Sequence, residues 1–407
     1  CIVKRGAASD VSSCILANVT SPPLTVNEAS TVKSYPFLHV EEALRNAVDE
    51  GTTAGAALVF GQGERRHEIV VGQAQLVPCT RPLSSTTLFD LASLTKVLAT
   101  TWLAMKMTAA GRLDVDAPLG DLLPGYYPKD KAALTVRLLM CHAAGLPSGL
   151  QLYNSLSPES AGAPARRSVI ERYLQTTLTA APGRRTLYSD IGPILVGDLL
   201  EQLASGPHAR LDAISAAELY APLALDDTFF VHLDDPLPSA QRLPEVFAAT
   251  EDCAWRGRVL VGEVHDENAH LLRGVAGHAG LFSTVRDLER IARAYLAETN
   301  IGIDSATLRS LTSAQQLTPD STRAFGWDKP RADGPSGHGF SPLAYGHTGF
   351  TGTSLWIDPQ KHGYVILLTN RVHPGREDRG FPALRPRLHN LIHDSLNGPD
   401  GWPEQAA

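Results

Sequence analysis

Charge, aromatic rings and sulfur are all scarce in this sequence. Charged side chains make up 19% of the 407 residues and aromatics 6%, and there are five cysteines and three methionines. A formal charge of -7 and a pI near 6.1 exclude nucleic acid or an anionic membrane as the main partner. The basic pairs Arg65-Arg66, Arg166-Arg167 and Arg184-Arg185 are short and scattered, as in solvated loops. Cys1, Cys14, Cys79, Cys141 and Cys253 are far apart and odd in number, which excludes a dense disulfide framework and a paired-thiolate metal site. No apolar run approaches the roughly 20 residues that span a bilayer, so no transmembrane segment is expected. The opening Cys1, in place of Met, leads to the expectation of an upstream segment removed by processing or by design. What the chain does have is 43% hydrophobic residues, enough for a large core without staples.

Residues 1–35 are mixed and polar, with Pro22-Pro23 and no sustained period, and read as an arm; residues 36–407 read as one domain. Apolar residues from Phe37 to Val48 recur at helical spacing and Gly51 ends the run. "AGAALVFG" (54–61) and "HEIVVGQAQL" (67–76) read as adjacent strands, and "TSLWIDP" with "GYVILLTN" as a hairpin near the C-terminus. Between them, from about 101 to 295, the signals are mainly helical. Helices are expected over 189–204, over 283–298 with a serine N-cap, and over 385–396. Strands at both chain ends with helices between them predict one antiparallel sheet built from about 36–100 and 296–407.

Ser93-Leu-Thr-Lys96 heads the apolar stretch "VLATTWLAMKM". A serine at a helix start meets unsatisfied N–H groups and the positive end of the dipole, and a lysine one turn on shares its face. The bland alternative is an N-cap beside a surface lysine. Ser30-Thr-Val-Lys33 shows that the spacing arises by chance, but it lies in the polar arm. Two further segments add weight: Tyr188-Ser189-Asp190 just before a helix, and His347-Thr348-Gly349 at the start of a strand. His278-Ala-Gly280 imitates the latter, with helix-forming sequence expected after it.

With these three motifs in this order, the chain resembles the penicillin-recognising serine hydrolases: class C β-lactamases, DD-carboxypeptidases, D-aminopeptidases and related esterases. Tyr-Ser-Asp stands where the class C-like branch has Tyr-x-Asn. His-Thr-Gly replaces Lys-Thr-Gly, which disfavours a dedicated β-lactamase. The resemblance runs over about 36–395 and takes in "LLMCHAAGLPSG" (138–149) and "WRGRVLVGEVHDENAHLLRGVAGHAGLFSTVRDL" (255–288). It implies an α+β chain of the β-lactamase/DD-peptidase fold: an antiparallel sheet flanked by helices, plus a mainly helical insertion. It further implies Ser93 as nucleophile, Lys96 as its electrostatic or proton partner and Tyr188 as base. The Ser93 and Phe350 N–H groups would form the oxyanion hole, since fixed donors at a developing oxyanion are commonly worth about 3 kcal/mol each. His347, Thr348 and Gly349 would face the substrate, with His347 placing a substrate carboxylate or the Tyr188 hydroxyl.

Asp190 has two readings, an ion-pair partner for Lys96 or a cap of the following helix. "GEVHDENAH" (262–270) invites a metal, but it lacks a His-Glu-x-x-His helix. Pocket-lining or loop-bracing is the expectation for His265 and Asp266, and loop support for His142. Neither metal nor cofactor is expected. The implied reaction is hydrolysis of an ester or amide through an acyl-enzyme, the substrate a small molecule or cell-wall-type peptide, in an extracytoplasmic place. A non-catalytic penicillin sensor and a true β-lactamase are the alternatives.

Overall fold

The computed structural model describes residues 37–160, 163–204, 209–234 and 244–397. The expected arm, with Ser30, Lys33, Cys1 and Cys14, lies outside them. Three segments in the first hundred residues and three between 345 and 369 pair into one antiparallel six-stranded sheet. Its order is Arg81–Pro82, Arg65–Gln75, Gly55–Gln62, Gly363–Thr369, Ser354–Asp358, Tyr345–Thr348. Gly55–Gln62 and Gly363–Thr369 meet at its centre, where Val59 faces Ile366 and Phe60 faces Val365.

Both faces of this centre are covered, and the two-residue period of a strand divides its side chains between them. Ala57 and Val59 enter the main core with Leu98, Trp102 and Ile291. Ala56, Leu58 and Phe60 enter a second core with Leu44 and Leu388, from the helices Leu38–Asp49 and Phe381–Asn397. Each large apolar side chain so buried contributes about 1.5–3 kcal/mol. Among the described residues no helix is long and apolar enough to cross a membrane.

Several sequence expectations need correction. The mainly helical middle section also holds short strands: Leu281–Ser283 and Phe229–Phe230 form a small antiparallel sheet with Phe89–Asp90, and Asp252–Cys253 pairs with Arg258–Val259. Strands of two or three residues are too short to show a period. A short strand, rather than helix, therefore follows His278-Ala-Gly280 directly. The helix expected at 283 spans Val285–Ala297, and Thr284 caps it by accepting the Asp287 N–H at 3.3 Å. The last helix begins earlier than expected, at Phe381.

Candidate active site

Ser93 is held by a crossing of distant loops. Asp90, fully buried, accepts the N–H of Ala92 (2.8 Å) and of His265 (2.6 Å). Thr351 and Thr353 donate to the carbonyls of Asp90 and Leu91 at 2.8 and 3.0 Å. These bonds hold Ala92 in the left-handed region at φ 46°, a conformation a non-glycine residue keeps only where its surroundings impose it. Ser93 thereby stands just before a wide π-type turn, Lys96–Thr101, that runs into the helix Trp102–Ala109. Such turns recur at functional sites.

Lys96 is 1% exposed. Its Nζ donates to Ser93 Oγ at 2.7 Å and to the carbonyl of His278 at 3.3 Å, and pairs with Asp190 Oδ1 at 2.8 Å. Burial acts to lower its pKa, but the Asp190 carboxylate and the Tyr188 phenol outweigh it and raise the net value above the ordinary one. Lys96 is therefore an ammonium at neutral pH. Asp190 sits at the N-cap position of Ile191–Leu203, yet its side chain makes no cap bond; Ser189 Oγ instead accepts the Ile191 N–H at 3.2 Å. Of the two readings of Asp190, the structure adopts the ion pair.

Tyr188 lies among four groups. Lys96 Nζ is 5.1 Å from its ring centroid, and the Arg323 guanidinium 5.3 Å. The rings of His142 and His347 stand at 4.5 and 5.9 Å. His142 Nδ1 accepts the Ser189 N–H at 3.2 Å and so braces the Tyr188 loop. Burial, with the charges of Arg323 and Lys96, holds both histidines well below the ordinary imidazole value. His347 is thus neutral, and its Nδ1 lies 2.8 Å from the Thr348 carbonyl, which can only accept. The ring proton is on Nδ1 and Nε2 carries a lone pair. A lone pair suits a hydroxyl donor such as Tyr188 and repels a carboxylate, which removes one of the two roles expected of His347.

The Tyr345–Thr348 strand forms the sheet edge at the cleft. Gly349 closes against Leu91, and only a glycine fits: an added Cβ would stand 2.1 Å from Thr353 Oγ1 and 2.5 Å from the Leu91 carbonyl. Phe350, the next residue, lines the same cleft as Ser93. Neither the Ser93 nor the Phe350 N–H has a partner among the described residues. Phe350 itself is half-exposed and stacks on His265, ring centroids 5.7 Å apart.

His265 also binds Glu251 through Nε2 at 3.0 Å, and Asp266 accepts from His278 Nε2 and from the Ala269 N–H, at 2.9 and 2.7 Å. These bonds tie both residues to neighbouring loops at the cleft. Among the described residues no three His, Cys, Asp or Glu side chains converge as metal ligands. Ser93, Tyr188, Asp190, His265, Asp266, His278 and residues 347–350 line one cleft of about 990 Å³, together with Arg323, Arg371, Arg376 and Arg385. The sequence reading missed His278 and these arginines. His278 was set aside for lacking a strand after it, and the arginines carry no local signal.

A serine and a phenol in one cleft, with a buried ammonium bonded to the serine, are the groups that a serine hydrolase uses. The chain belongs to the beta-lactamase family, whose model matches residues 40–386. It is 31% identical to an N-acetylmuramyl-L-alanine amidase of Bacillus subtilis, over 94% of this chain and 90% of that one. A putative D-alanyl-D-alanine carboxypeptidase of Salmonella typhi is also 31% identical, over 71% of each chain. A penicillin-binding protein homologue from Caulobacter crescentus has the same fold, with TM-score 0.67 at 18% identity, covering 90% of this chain and 99% of that one.

Proposed function

We propose that this chain hydrolyses an amide or ester through an acyl-enzyme on Ser93, with a cell-wall-type peptide or amide as natural substrate. The observation that carries the reading is the buried Lys96 ammonium, bonded at once to Ser93 Oγ and Asp190. Serine is a weak nucleophile until a neighbour takes its proton. Lys96 already holds its full complement of protons, so Tyr188, acting as its phenolate, takes this one and becomes the phenol. The Ser93 oxygen then bonds to the substrate carbonyl carbon, whose oxyanion meets the free N–H groups of Ser93 and Phe350. The proton passes from Tyr188 to the leaving nitrogen or oxygen as that bond breaks. Water, deprotonated by Tyr188, then attacks the acyl-enzyme; the ester bond breaks, and Ser93 Oγ takes the proton back from Tyr188 as the acid product leaves. Asp190 keeps Lys96 charged throughout. The names of both curated relatives support an amide substrate.

The test is Ser93→Ala, assayed with p-nitrophenyl esters, a muramyl peptide amide and a D-Ala-D-Ala peptide, and by labelling with fluorescent penicillin. The variant is expected to lose essentially all turnover and labelling at an unchanged thermal midpoint. Retention of most activity would overturn the assignment. Stoichiometric labelling of the unsubstituted protein without turnover would replace it with a sensor.

A further inference from the structure

Two cations approach the Tyr188 ring, and they are answered very differently. Lys96, from the turn Lys96–Thr101, pairs with Asp190 at 2.8 Å. The other is Arg323, on the loop between the helix Ser305–Thr312 and the edge strand Tyr345–Thr348. Its guanidinium lies 5.3 Å from the Tyr188 ring centroid. Its Nη1 is buried with no hydrogen-bond partner among the described residues. The carboxylate paired with it, Asp328, stays 3.8 Å from Nη2, beyond hydrogen-bond range.

This loop is fixed onto the elements around Tyr188. Thr318 and Thr186 share a hydrogen bond of 2.6 Å, which ties it to the segment that carries Tyr188. The Arg323 carbonyl accepts the Gln315 N–H at 2.8 Å, and the Ala324 carbonyl accepts from Cys141 Sγ at 3.6 Å, beside His142. Gly326 closes against the turn after Ser93, where an added Cβ would stand 2.0 Å from Thr101 Oγ1. The remaining groups that face the ring supply no charge. Burial, then the charges of Arg323 and Lys96, hold His142 and His347 neutral. His-Thr-Gly in place of Lys-Thr-Gly thus leaves the edge strand without a cation here. Asp190, two residues on from Tyr188, is engaged by Lys96.

The proposed reaction needs a phenolate. A tyrosine in water titrates near pH 10, so only about 0.1% of it is ionised at pH 7. A cation within about 4–6 Å favours the anion. An ammonium already paired with a carboxylate is a weak source of that field, because the two opposite charges largely cancel at a distance. A guanidinium without a close carboxylate is a stronger one, and it keeps its proton throughout the working pH range.

We infer that Arg323 is a positioning residue for the reaction: its guanidinium, over the Tyr188 ring, holds that side chain as the phenolate that takes the Ser93 proton. This deepens the proposed function and rests on it in treating Tyr188 as the base.

Titrating the phenolate tests the role directly. Its near-ultraviolet absorption is read as the difference between each protein and its Tyr188→Phe counterpart, beside the pH profile of kcat/KM for p-nitrophenyl acetate. That ester is uncharged, so an arginine that only anchors a substrate anion would leave the profile in place. In Arg323→Gln the phenolate band and the acidic limb of kcat/KM are both expected to move up by about 1 pH unit, a loss of about tenfold below the limb. Arg323→Lys keeps the charge and is expected to reverse most of both shifts. Thermal melts check folding, with Arg323→Met as the uncharged variant should the glutamine one not fold. A phenolate band that stays in place overturns the role, even where the limb moves, since protonation of His347 moves the limb alone. An unmoved band beside an inactive Tyr188→Phe variant refutes this inference only. Ester turnover retained by Tyr188→Phe refutes the reading of Tyr188 as the base.

Discussion

Lys96 and Asp190 show how one contact sets a protonation state. A lysine buried to 1% exposure would lose its proton readily if burial acted alone. The carboxylate at 2.8 Å reverses that outcome. A raised folded pKa keeps the charged form present up to high pH and lost only above it. Asp190→Asn removes the anion but leaves a residue of similar shape, so the Lys96 pKa falls and its charge is lost at lower pH. The alkaline limb of kcat/KM with a small ester should therefore move down by about 1–3 pH units. An unmoved limb would mean that Asp190 does not govern the lysine. The change cannot be confused with a lost cap, because Asp190 makes no cap bond.

At the scale of elements, the turn after the edge strand does the positioning. Residues 349–353 cross over 90–92, tied by Thr351 and Thr353, and the proposed mechanism uses this crossing to present the Phe350 and Ser93 N–H groups to one oxyanion. Gly349→Ala would drive a Cβ into Thr353 Oγ1 and the Leu91 carbonyl, so the turn must move. Loss of one oxyanion donor costs about 10²–10³ in kcat, and the variant should fall by about that factor with its KM little changed. Steady-state kinetics on a small ester measure it, beside circular dichroism to show the sheet intact. A variant with full activity would separate the turn from the chemistry.

The whole molecule stores neutral histidines. His389 and His393, packed on Phe340 at 5.7 and 4.5 Å, are lowered by burial to about 3 and about 4. Below about 6.5 the unfolded chain takes up protons that these folded side chains refuse. Their contribution to stability is complete above that pH and drains away as pH falls toward 4 and 3. The slope is about 1.4 kcal/mol per pH unit for each histidine in that window. Urea midpoints should fall between pH 6.5 and 4.5, and His389→Gln should make the fall shallower. A midpoint constant over that range would contradict the packing described.

The motifs Ser93 to Lys96, Tyr188 to Asp190 and His347 to Gly349 were legible in the chain, as were the strands at its two ends. Backbone preference and hydrophobic period are written within a few neighbouring residues, so a local reading finds them. Strands of two or three residues carry no such period, which is why the small sheet around Phe89–Asp90 was missed. Whether Asp190 caps a helix or pairs with a lysine 94 positions earlier depends on distance in space, which no local pattern records. The same holds for arginines: Arg376, Arg371 and Arg385 read alike in sequence, yet among the described residues folding brings carboxylates to ion-pair distance only of the first. Residue types and local elements thus followed from the sequence alone. Charge pairing and desolvation were decided by tertiary structure, because both depend on which distant segments come within a few ångströms of each other.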